Sequence, residues 1–185
     1  MRLRADGLEE VIAGESVLLI ARRRLAYTAY TAKKLAENML GLHKTWTPYK
    51  GSTTPCIVED GCLLSDVIIS AHAGGEAHVI RIITERGRAI SVTPTHMMLT
   101  PQGYRRAYEL AEQDTVTIAP WPRRFGYLTP GVGRDPAQHW NVFPRKTASD
   151  KIAGIVDVGF ADVYDFDLEY PFNNYAANEF VVSSG

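Results

Sequence analysis

Between Val79 and Thr93 the chain carries two β-prone runs folded about one glycine. Val79-Ile80-Arg81-Ile82-Ile83-Thr84 is rich in β-branched residues, Gly87 turns the chain, and a second run ends at Thr93. β-Branched side chains suit a pleated, half-buried surface, and a glycine between two such runs marks a turn. The pattern recurs along the chain. Leu3, Ser16–Ile20, Ile57-Val58, Val67–Ser70, residues 97–100, Val116–Ala119, 152–158, 162–169 and 179–183 all read as strands. Turns are expected at Asp6-Gly7 and from His72 to Gly75. Many short strands separated by Gly-rich turns predict a mostly β fold closed on itself, with one or two short helices.

Two stretches depart from this rhythm. Ala21, Leu25, Ala29, Ala32, Leu35, Ala36, Met39 and Leu40 fall near a period of roughly 3.6 residues, so 21–42 reads as a helix that Gly41 stops. Residues 43–55 read as a loop, which makes 21–56 a helical and loop insertion. Tyr104 to Ala111 is expected to form one or two helical turns. Pro120, Pro122, Pro130, Pro136 and Pro144 stand among Gly126, Gly131 and Gly133. That spacing excludes long helices and central strands over 120–149 and predicts a surface excursion.

With 185 residues the chain suits a single domain, 1–185. A net charge of −1 gives no field that would draw nucleic acid or a membrane surface. No apolar run reaches the roughly eighteen residues of a membrane span, and the first residues lack a signal-peptide core. A cytoplasmic location is expected. Cys56 and Cys62 form no C-x-x-C pair and read as two reduced thiols, a disulfide between them being the alternative. Arg22, Arg23, Arg24, Lys33 and Lys34, interleaved with Tyr27 and Tyr30, could suggest nucleic acid. Such charges beside a core stripe are more often a helix's solvated face, so a small nucleic-acid-binding β domain is kept only as the lower alternative. His43, His72, His78 and His139 show no ligand spacing, and neither a metal nor a cofactor is expected. Trp46, Trp121 and Trp140 read as packing residues on loops.

The chemistry-bearing pattern is Thr93-Pro94-Thr95-His96, a Thr-x-x-His that follows one strand and precedes another. Gly103-Tyr104-Arg105-Arg106 and Leu110 to Val116 come after it. The chain closes on Val163-Tyr164-Asp165-Phe166-Asp167-Leu168-Glu169 and Asn174 to Val182. In this order the segments resemble the Hint domain of inteins, the self-splicing protein elements. The resemblance covers residues 3–20, 57–119 and 152–184. It implies a pseudo-twofold, horseshoe-like β fold, and a mini-intein in which 120–149 stands in place of a homing endonuclease. It further implies autocatalytic rearrangement of peptide bonds, without a cofactor, on flanking extein segments. His96 would be the general acid toward the nitrogen of the N-terminal scissile amide. Thr93 would hold that amide, and Asp165 would position the nucleophiles and shift their protonation.

The chain departs from the family at the reactive positions. The family opens with Cys or Ser ahead of a strand matched here to Leu3, whereas this chain opens with Met1. The family ends in His-Asn. Here Ser183 and Ser184 hold the C-terminal splice-junction positions, and serine cannot form a succinimide. Asn173 or Phe172 falls where a further histidine often stands, and Asn178 reads as a turn residue. Splicing by this chain alone is therefore not expected. Three explanations stay open: a split intein needing a short complementary N-terminal peptide, a trimmed element, or a non-catalytic Hint module. A different register would make Cys62 the first residue. Its distance from His96 is too short for the strands that must lie between.

Overall fold

The computed structural model describes residues 11–23, 26–40, 53–57, 63–120, 146–168 and 173–183. Leu3, the Asp6-Gly7 turn, Cys62, Ser184, most of the 43–55 loop and nearly all of the 120–149 excursion lie outside them. Twelve strands make one sheet. They are β1 (Ile12–Ala13), β2 (Val17–Arg23), β3 (Ala26–Thr31), β4 (Thr53–Ile57), β5 (Leu63–Thr84), β6 (Ala89–Val92), β7 (Met97–Thr100), β8 (Gly103–Arg106), β9 (Thr115–Ile118), β10 (Ala148–Leu168), β11 (Asn174–Ala177) and β12 (Phe180–Ser183). One helix, α1 (Ala32–Met39), and a single 3-10 turn at Ala107–Glu109 complete the described secondary structure.

The strand order is β3-β2-β4-β5-β6-β1-β10-β9-β12-β7-β8, with β11 beside β12 and a further pairing of β5 with β10. That last pairing closes β5, β6, β1 and β10 into a ring, so the sheet does curl back on itself. β5 and β10 are 22 and 21 residues long and run antiparallel along nearly their whole length. Strands of this length must coil and bend. Register shifts between Asp157 and Gly159 and between Val163 and Tyr164 supply the bends.

This corrects two expectations. His72 to Gly75 does not turn the chain back. Gly75 takes φ +73 beside the second register shift, and the strand continues through it. A side chain at that φ would be strained, so the glycine marks a bulge here. Likewise 152–158 and the described part of 162–169, up to Leu168, are one strand, with Gly159 at φ +81 on the bulge between them.

The helix expected over 21–42 is corrected too. Residues up to Arg23 belong to β2, and Ala26–Thr31 is its hairpin partner, with Val17 opposite Thr31. The alanines mimic a helical stripe, but Tyr27, Thr28, Tyr30 and Thr31 favour a strand, and pairing decides. The helix starts only where Thr31 caps it, its side chain accepting from the Lys34 amide at 3.1 Å. Leu35 and Ala36 then pack into the main core with Ile12, Leu18, Ile82, Phe166 and Phe180. Residues 103–106 form a strand, so the helical turns expected over 104–111 shrink to the 3-10 turn.

A partly buried charge cluster locks the β5–β6 turn to β10 and to the β11–β12 turn. Arg88 reaches Asp150 at 2.8 Å and Glu179 at 3.2 Å. Burial opposes ionisation of Asp150. Hydrogen bonds from Thr84 and Arg88, with the charge of Arg88, outweigh it and hold the carboxyl below its usual value. Removing Arg88 leaves the Asp150 carboxylate without its partner, at a cost of about 1–3 kcal/mol. Arg88→Ala should lower the unfolding free energy by about that amount in urea titrations. A carboxyl depressed on folding stabilises above its unfolded pKa, and that contribution fades as pH falls through the folded value. The parent protein should therefore lose stability below about pH 4, and the loss should be shallower in Arg88→Ala.

Candidate functional site

The site grows from the register of the shortest strand. Ile12 of β1 lies opposite Val92 of β6 on one side and opposite Tyr164 of β10 on the other. One step back along both ladders sets Val11 between Thr93 and Asp165. Backbone and side chain both fasten it there. The Thr93 amide donates to the Val11 carbonyl at 3.1 Å. The Thr93 hydroxyl accepts from the Val11 amide at 3.2 Å and lies 3.4 Å from the Val11 carbonyl. Val11 is 1% exposed, so these contacts are shielded from water.

Thr93-Pro94-Thr95-His96 is a tight turn, closed by the His96 amide donating to the Thr93 carbonyl at 3.0 Å. Proline fixes φ at the second position of such a turn. The following segment braces it. The Ala107 amide donates to the His96 carbonyl and the Tyr108 amide to the Pro94 carbonyl, both at 2.8 Å. The Arg106 guanidinium donates to the Thr95 carbonyl at 2.7 Å.

At the far end of the turn the His96 ring is wholly buried. Its Nε2 lies 2.9 Å from the carbonyl oxygen of Ser183, the last residue of β12. A carbonyl oxygen can only accept, so Nε2 carries a proton. Nδ1 and Ser183 Oγ are buried atoms without a hydrogen-bond partner. One braced turn thus holds the amide of Val11 at one end and the last carbonyl of β12 at the other.

Asp165 on β10 is fully buried, and the Tyr175 hydroxyl points at its Oδ1 across 3.4 Å. Burial, then the nearby Asp165 charge, pushes the Tyr175 phenol well above its usual pKa, so it stays a neutral donor. Tyr175 also packs edge-on against Phe166. The β11–β12 turn docks through Asn178, which takes φ +48. Its Oδ1 accepts from the Val17 amide at 2.7 Å, its Nδ2 donates to the Ala89 carbonyl at 2.9 Å, and its own amide donates to the Val17 carbonyl at 2.9 Å. This residue ties the C-terminal hairpin to both the N-terminal segment and β6.

Thr93, His96 and Ser183 therefore meet at one turn, and Asp165 stands on β10 next to Tyr164, the partner of Ile12. Ser184 lies outside the described residues. Sequence reasoning missed Val11, because Leu3 was matched to the first strand of the family pattern. The usable signal was Val11-Ile12-Ala13 running into a turn, closed by the Ser16 amide on the Ala13 carbonyl. Tyr175 and Arg106 were missed as well, since their roles arise only from strands that meet in space. A surface pocket of about 270 Å³ beside β1 is lined by Ala13, Glu15, Lys33, Arg81, Ser91 and Asp162, and includes none of the candidate residues. Among the described residues no three His, Cys, Asp or Glu side chains converge as metal ligands, and no helix is long and apolar enough to cross a membrane.

No protein-family model and no curated protein matches the chain. Solved structures do. A DnaB intein from Synechocystis sp. PCC 6803 superposes with a TM-score of 0.68 at 22% identity, over 95% of this chain and 98% of that one. A transcription factor IIB mini-intein gives 0.67 at 14% identity, over 95% and 99%. A DnaX mini-intein from Spirulina platensis gives 0.61 at 15% identity, over 94% and 99%. The chain thus has the mostly β Hint fold of the mini-inteins.

The clamp on Val11 has a direct check. A hydrogen bond of this kind contributes about 1 kcal/mol net, and about 1.4 kcal/mol is tenfold in an equilibrium. In Thr93→Ala the Val11 amide should exchange with deuterium at least about fivefold faster, while the amide of buried Ile82 keeps its protection. Unchanged exchange at Val11 would contradict the clamp.

Proposed function

We propose that this chain is an intein-type self-processing domain, built to act once on its own flanking peptide bonds, whose N-terminal junction is the Glu10–Val11 bond. The observation that carries the reading is the grip of Thr93 on Val11 at the head of β1, three residues from a histidine that engages the end of β12. A splicing domain has to bring its first and last residues together, and one braced turn serves both. On this reading Thr93 holds the junction nitrogen, His96 is its general acid, and Asp165 manages the proton of whatever side chain stands at position 11. Valine offers no nucleophile, and Ser184 cannot cyclise, so the chain as it stands does not splice. Flanking extein segments are its partners, and no cofactor enters.

The stretch 120–149 is, on the same reading, a linker where larger inteins carry an endonuclease. Its support is that a chain of this length covers nearly the whole of each mini-intein above. A split-intein fragment awaiting a short N-terminal peptide is the weaker reading. The place of such a peptide, between β6 and β10, is taken by the chain's own Ile12 and Ala13.

Restoring the nucleophile tests the proposal. In Val11→Cys, the thiol attacks the Glu10 carbonyl carbon, the C–N bond breaks, and the nitrogen gains the proton. An added thiol then releases residues 1–10. Thiol-dependent release should appear in Val11→Cys, be absent from the parent, and fall about 100-fold or more in the double variant with His96→Ala. A folded Val11→Cys protein that releases nothing would refute the reading.

A further inference from the structure

Asp165 is 0% exposed, yet the reading above asks it to take up a proton and give it back. Tyr175, whose hydroxyl lies 3.4 Å from Asp165 Oδ1, is wholly buried as well and opens no route to water. The neighbouring strand does. Asp165 of β10 lies opposite His72 of β5, and Asp167 lies opposite Ser70, with no register shift between the two pairs. Alternate residues of a strand share a face, so Asp165, Asp167, Ser70 and His72 make one polar patch on this ribbon. We infer that His72, oriented by Asp167, is a positioning residue that acts through Asp165 as its proton carrier to solvent. The inference rests on the self-processing reading above and adds the outlet which that reading needs.

Three observations carry it. Residues directly opposite on an antiparallel pair hold their Cβ atoms about 4.5–5.5 Å apart, which sets the His72 ring beside the Asp165 carboxyl. The His72 side chain is 28% exposed, so this ring borders both the buried carboxyl and water. The ring is also fixed. Asp167 Oδ2 lies 2.6 Å from His72 Nε2 and accepts from the Ser70 hydroxyl at 2.8 Å. Asp167 belongs to the same electrostatic neighbourhood: after burial and Asp165, its charge adds to the upward push on the Tyr175 phenol. The ionisable groups of β10 that face His72 are Asp165 and Asp167. β4 and β6 pair with β5 elsewhere, at Leu63–Val67 and Ile80–Ile83. The charge of Glu37 on α1 reaches Tyr164, which alternates onto the other face of β10.

The proton balance is simple. A thiol at position 11 gives its proton to the Asp165 carboxylate as the sulfur attacks the junction carbonyl. Asp165 passes that proton to the His72 ring, and His72 releases it to water and returns to its starting state. The leaving nitrogen takes its own proton from His96. The two histidines therefore work in opposite directions, one removing a proton from the nucleophile and the other supplying one to the amine.

Thiol-dependent release of residues 1–10 from Val11→Cys, with His72→Asn added, tests this. Asparagine keeps a donor for Asp167 but cannot take up a proton. Release should slow about tenfold, less than the roughly 100-fold or more lost with a group that acts on the reacting atoms themselves. Imidazole added to the buffer should restore most of the lost rate, since the site of the missing ring borders water, and should leave Val11→Cys itself unchanged. Release at the Val11→Cys rate in the folded double variant would overturn the inference. So would a slowing that imidazole does not relieve, which would make His72 a structural residue only. If His72→Asn fails to fold, Asp167→Asn keeps an acceptor for Ser70 and loosens the ring. It should slow release by a smaller factor with the same response to imidazole, and no slowing there would overturn the inference. These failures leave the self-processing reading standing, whereas a folded Val11→Cys protein that releases nothing would overturn both.

Discussion

The rest of the site depends on the turn from Thr93 to His96. Its first residue is bonded to the backbone of Val11, and its last reaches the carbonyl of Ser183. These two partners are more than 170 positions apart in the chain, as their numbers show. Bringing them together demands long-range pairing, and the ring of β5, β6, β1 and β10 provides it for one end. The docking of Asn178 on Val17 and Ala89 provides it for the other. Backbone groups buried here find partners in every direction, which is what fixes a turn firmly enough to position chemistry.

Much of this arrangement could be read in the residues. The Thr-x-x-His spacing, the strand after it and the Val163-Tyr164-Asp165 strand are local patterns, and local patterns survive in a sequence. So do the β-branched runs that became β5, β6 and β10. Longer-range features were harder to read. A two-residue strand such as β1 has no periodicity, so nothing in Ile12-Ala13 announces that it lies between two partners. The alanines of 21–31 imitate a helix because alanine at both periods is compatible with either structure. Only the hairpin partner resolves it. The bulges at Gly75 and Gly159 look like turns, since a glycine with positive φ serves both purposes. Tyr175 beside Asp165 is a contact between β11 and β10, invisible without the fold.

The chain has the Hint fold of the mini-inteins, and on the proposed reading its junction residues differ from those of the family. Valine at position 11 is held in the same kind of grip a nucleophile would need. His96 engages the Ser183 carbonyl at the end of β12. The grip and the polarising donor belong to the turn and are independent of the residues they act on. On the proposed reading, single junction residues can therefore change without the fold being rebuilt. The buried Asp165–Tyr175 pair fits the same view: burial keeps the phenol neutral, so it can donate to the Asp165 carboxyl.

The central claim is that one braced turn holds both junctions, and the protonation of the His96 ring reports on it most directly. Nitrogen-15 NMR of the folded chain at neutral pH distinguishes the two ring nitrogens. The expected result is a ring with a proton on Nε2, a slowly exchanging Nε2–H with a nuclear Overhauser contact to Ser183, and a Val11 amide in contact with the Thr93 side chain. A ring protonated on Nδ1 alone, or one whose Nε2–H exchanges freely with water, would contradict it.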